Sequence, residues 1–99
     1  MARAGYSSEQ AEATAISALG FIAGDAELLP RFLAITGIEA ASIREAAREP
    51  GFLAGVLDFL LAHEPSLVRF ASETATDPAS VAEARRALAN GNDRFEAST

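Results

Sequence analysis

Three times in its second half this chain places an acidic residue directly before a proline: Glu49-Pro50, Glu64-Pro65 and Asp77-Pro78. Proline is tolerated at the first position of a helix, because the N–H it lacks has no partner there and its fixed φ suits the turn. A carboxylate just before it faces the exposed N–H groups and the positive end of the helix dipole. Each pair therefore predicts a helix start, and each forbids a helix from running through it. With Gly24, Gly37 and Gly91 as further breaks, the sequence divides into six helical pieces. No stretch shows the β-branched alternation of a strand. The predicted class is all-α, a compact bundle of about six short helices.

The individual boundaries follow from cap chemistry. Ser7 reads as an N-cap, with Gln10 closing a capping box and Tyr6 placed to staple onto Ala11. Gly24 is expected to end this first helix in a left-handed conformation. Asp25 caps a second piece in which Pro30 lies too deep for a first turn, so a bend or split is expected, leaving a turn and then a helix from Pro30 to Thr36. Gly37 caps that helix, and a third runs roughly over residues 40–48. Gly91 is read as the end of the sixth. The expected organisation is one helical domain over residues 1–91 and a flexible polar tail over 92–99.

The stretch GFLAGVLDFLLAHE, from Gly51 to Glu64, is the richest apolar run. At 100° per residue its large side chains, Phe52, Leu53, Val56, Leu57, Phe59, Leu60 and Leu61, cover more than half of a helix. Such a helix is surrounded, so it is expected to be the central element. Gly51 and Gly55 fall in the remaining sector, where small residues would admit a close neighbour. His63, the only histidine, falls in the last turn, where it would interact favourably with the dipole and has no catalytic partner in the sequence.

Sliding the chain by 38 residues aligns Leu29, Arg31, Phe32, Thr36, Ala41, Ser42, Glu45, Ala46 and Arg48 with Leu67, Arg69, Phe70, Thr74, Ala79, Ser80, Glu83, Ala84 and Arg86. Upstream, Leu19 matches Leu57 and Phe21 matches Phe59. Leu29, Phe32 and Thr36 share a helix face at i, i+3 and i+7, as do their counterparts, whereas Arg31 and Arg69 point away from it. The architecture this predicts is two similar three-helix units on one core, either symmetric or stacked.

The combination of RFLAITGI, the acid-proline starts and FLAGVLDFLLAHE followed by a helix resembles a family of short alphaproteobacterial proteins classed as a domain of unknown function. The resemblance covers the chain from about Ser7 to Leu88. It implies a small all-helical bacterial protein and carries no activity with it. The chain departs from the repeated pattern at Glu39-Ala40, where a turn and a proline would be expected.

Composition narrows function by exclusion. There is no cysteine, which removes disulfides, thiolate metal sites and cysteine nucleophiles and suits a reducing compartment. Net charge is −6, so polyanions are repelled overall, and nucleic acid is not the expected partner. No run reaches the ~18 uncharged apolar residues of a membrane span. No glycine-rich nucleotide loop or histidine-carboxylate arrangement is present, so no catalytic, cofactor-binding or metal-ligating residue is assigned, and no cofactor. The expected function is a non-enzymatic protein-interaction module of the bacterial cytoplasm, binding another protein or itself. Two alternatives stand beside it: a DNA-binding helix-turn-helix-like domain using Arg85 and Arg86, and a small-ligand-binding protein with a pocket between helices.

Overall fold

The computed structural model describes residues 7–97, with side chains described through Leu88. The expected contact of Tyr6 lies outside the described residues. Six α-helices and one 3₁₀ turn make up the described chain, with no strand, as the sequence predicts. α1 is Ser8–Ala23, and its capping box is present: the Gln10 N–H donates to Ser7 Oγ at 3.2 Å and the Ser7 N–H to Gln10 Oε1 at 3.1 Å. Gly24 ends α1 but is not left-handed (φ −87°, ψ 0°): the chain continues past it in a right-handed turn, with the Asp25 N–H on the Ile22 carbonyl at 3.1 Å.

α2 spans Leu28–Thr36, and the bend expected at Pro30 does not occur. The Asp25 carboxylate accepts from the N–H groups of Glu27 and Leu28 at 2.8 and 2.9 Å, so the capping turn lies outside the helix. Pro30 is thus the third residue of α2, where an N–H needs no helical partner. Gly37 closes α2 in the left-handed region at φ 73°, as expected. The predicted third helix is shorter: a 3₁₀ turn at Ala40–Ser42 runs into α3, Ile43–Ala46. Glu39 makes no side-chain cap there, and alanine stands where the matching segment has Pro78.

α4 is Pro50–Leu61, with proline at its first position. α5 is Glu64–Glu73, so Pro65 is its second residue and His63 its N-cap, one position from the expected register. α6 is Pro78–Ala97; Asp77 accepts from the Ala79 N–H at 3.0 Å at its start. It passes through Gly91 rather than ending there. Glycine inside a helix costs only about 1 kcal/mol relative to alanine, too little to stop a helix alone.

The core lies among α1, α4 and α6, which pack most extensively on one another. α1 brings a stripe of Ala11, Ala15, Ala18, Leu19 and Ile22, all buried, and small residues of this kind allow a short interaxial distance. α4 contributes buried Leu53, Val56, Leu57 and Leu60, with Phe52, Phe59 and Leu61 packed partly buried around them, so the run that begins at Gly51 is the core segment expected. Gly55 does not serve as a close-approach site, since a Cβ there would meet nothing within 4 Å. Among the described residues, no single helix is long and apolar enough to cross a membrane.

α2 and α5 attach by reciprocal aromatic contacts. Phe32 of α2 meets Phe59 of α4 edge-on at 5.3 Å between ring centroids, and Phe70 of α5 meets Phe21 of α1 at 5.5 Å. These are the phenylalanines that the 38-residue offset matches, Phe32 with Phe70 and Phe21 with Phe59, and each contact crosses from one half to the other. α3 and α6 do not correspond in this way: α3 has four residues, while α6 lies in the core.

Candidate functional site

The reciprocal docking brings the starts of α2 and α5 together, and between them lies a pocket of about 370 Å³. Arg31, His63, Ser66 and Arg69 line it, with Glu27, Leu28 and Pro65. His63 is here because α4 must stop at Leu61: were the helix to continue, the ring of Pro65 would clash with that residue's carbonyl. The chain leaves helical geometry at His63 (φ −134°, ψ 95°) and re-enters it in α5. The favourable position expected for His63 at the end of α4 is therefore replaced by the opposite end of the next helix.

His63 also has a partner that periodicity within α4 does not reveal. Its Nδ1 lies 2.7 Å from Ser66 Oγ, and Ser66 is 2% exposed. The pair satisfies a buried hydroxyl, which would otherwise cost about 1–3 kcal/mol. No carboxylate hydrogen-bonds His63 among the described residues. The same residues contain no group of three or more histidine, aspartate or glutamate side chains arranged to hold a metal.

Arg69 is the structural anchor of the pocket. Its guanidinium bonds the Asp25 carboxylate and lies over the Phe21 ring at 5.1 Å, joining α5 to α1 and to the turn before α2. The Asp25 carboxyl is held below its ordinary range, first by the Leu28 N–H, then by Arg69 and the Glu27 N–H. Arg31, by contrast, forms no ion pair among the described residues and is exposed. Sequence periodicity placed both arginines off the core face but could not show that they converge. The 38-residue offset was the available signal, since it gives Arg31 and Arg69 the same position in successive helices.

The arginines proposed for DNA contact are differently placed. Arg85 Nε donates to Asp58 Oδ1 at 2.7 Å, and Arg86 lies 3.9 Å from Glu83. Both therefore already face carboxylates.

Comparison with known families is informative over most of the chain: residues 8–91 match the model of a family described as a protein of unknown function, DUF3572. The chain belongs to the DUF3572 family. No curated protein and no solved structure matches it. The DUF3572 match spans α1 to α5, α6 as far as Gly91, and both sides of the pocket, so the core and the pocket lie within the family region.

Proposed function

We propose that this DUF3572 protein is a non-enzymatic interaction module that binds an apolar segment of another protein in the bacterial cytoplasm. The observation that carries the reading is on α2, where Leu28, Phe32 and Ile35 form one stripe at i, i+4 and i+7. Leu28 and Phe32 are buried, but Ile35 is 68% exposed, so the stripe outruns the core. An apolar face that continues beyond its own core suits a partner's side chains. Lack of cysteine agrees with a reducing compartment. The carboxylates already facing Arg85 and Arg86 weigh against a duplex as partner.

A photo-crosslinking residue at position 35, introduced in the native cell, is expected to give one discrete adduct, and the same residue at Glu73 none. An adduct of twice the chain's mass would replace the heterologous partner with a second copy. Equal labelling from both positions, or none from either, removes the reading.

A further inference from the structure

Arg31 and Arg69 hold the same position 38 residues apart, but the two carboxylates around Arg69 have no counterpart around Arg31. The Arg69 guanidinium bonds the Asp25 carboxylate, and its Nε lies 4.0 Å from the carboxylate of Glu73, one turn on. At the matching places around Arg31 the sequence has His63 for Asp25 and Ile35 for Glu73. His63 is bonded through Nδ1 to Ser66 instead, and isoleucine carries no charge. Glu27, one turn to the other side of Arg31, does not pair with it either. The outer face of α2 thus runs through Pro30, Arg31, Ala34 and Ile35, all exposed. Ile16, Ile35 and Val68 are the large apolar side chains exposed among the described residues, and of these only Ile35 has an unpaired arginine one turn away.

Resting on the protein-interaction reading, we infer that the segment bound on α2 is acidic as well as apolar: it sets a large apolar side chain on Ile35 and a carboxylate on Arg31, about 6 Å away along the helix. A planar guanidinium matches both oxygens of a carboxylate, and the pair strengthens when the apolar contact beside it excludes water. Contact with Ile35 alone would accept any apolar segment, whereas the pair with Arg31 selects among them. The net charge of −6 favours basic peptides at long range, so an acidic preference has to come from a local cation.

The test is selection of a phage-displayed library of random peptides against the full chain, followed by affinity measurement on the synthesised binders. These are expected to carry aspartate or glutamate about two to four residues from a large apolar side chain. Arg31→Glu should weaken them about tenfold or more, and exchanging the peptide's carboxylate for lysine should restore binding to that variant. Ile35→Glu, which gives α2 the residue that α5 has at the matching place, should abolish binding. Both positions are exposed, and cooperative thermal unfolding shows that the variants fold. Binders lost in Ile35→Glu but unaffected by Arg31→Glu overturn the acidic segment and leave the protein-interaction reading standing. No binders, or binders indifferent to Ile35→Glu, overturn both. A chain that sediments as a dimer, and as a monomer once Ile35→Glu is introduced, gives the face to a second copy and overturns the acidic segment.

Discussion

Gly37 and Ala75, 38 residues apart, hold the two left-handed backbone conformations among the described residues, at φ 73° and 54°. Each follows a threonine whose hydroxyl donates to the carbonyl four residues earlier, Thr36 to Phe32 at 2.9 Å and Thr74 to Phe70 at 2.7 Å. Beyond Ala75 the Thr76 N–H reaches the Ala71 carbonyl at 2.8 Å, the long bond of a Schellman cap. The two helices end alike, but only one has the residue that suits the ending.

Alanine in this region sets its Cβ against a carbonyl, a strain of roughly 1–2 kcal/mol that glycine avoids. Part of that gain is offset by the greater freedom of glycine in the unfolded chain. Ala75→Gly is therefore expected to raise the free energy of unfolding by about 1 kcal/mol, and Gly37→Ala to lower it by about the same. Urea denaturation measures both. Destabilisation by Ala75→Gly would contradict the left-handed cap on α5.

Gly55 and Gly20 are interior helical positions at which a Cβ would meet nothing within 4 Å. Glycine there carries backbone entropy with no packing reason for it. Replacing either by alanine is expected to stabilise the protein by about 0.5–1 kcal/mol, read as a higher urea midpoint at unchanged slope. A loss of stability at Gly55 would restore the close helix contact that its position in the sequence suggested.

What could be read from the sequence was whatever depends on one helix at a time. The Ser7 cap, the Gly37 ending and the apolar faces of α4 are local, so periodicity and cap chemistry suffice. The start of α2 is not legible from the sequence because Asp25 caps a turn outside the helix, which moves Pro30 into a harmless position. His63 belongs to the helix after the one its apolar run suggests, because the consequence of Pro65 falls four residues earlier, at Leu61. The pocket depends on how α2 and α5 dock, and no single-helix pattern contains that information. Its arginines were visible as a matched pair, and their convergence required the fold.

Asp25 gives the fold a dependence on acid. Its folded-state carboxyl titrates below the ordinary 3.8, so its contribution is present above that value and is lost as pH falls through the folded value. The carboxyl carbon resonance of Asp25 is expected to titrate with a midpoint below 3.8. Asp25→Asn should lower stability at neutral pH and flatten the acid limb of the stability curve. A midpoint at or above the ordinary value would mean that Arg69 and the two N–H groups do not hold the carboxylate in solution.

Phe32 and Ile35 lie on one stripe of α2, yet they should respond very differently to truncation. Phe32 is fully buried and meets Phe52 and Phe59 edge-on, at 5.8 and 5.3 Å between centroids. Phe32→Ala is expected to cost about 3–5 kcal/mol, a large share of the roughly 5–15 kcal/mol that holds a small domain folded. Ile35, one turn on, loses almost no burial when truncated, and Ile35→Ala should shift stability by no more than about 0.5 kcal/mol. Thermal or urea unfolding of the two variants at low protein concentration distinguishes the cases. If Ile35→Ala proved as damaging as Phe32→Ala, the stripe would be covered along its whole length in the isolated chain, and the surface proposed for a partner would not exist.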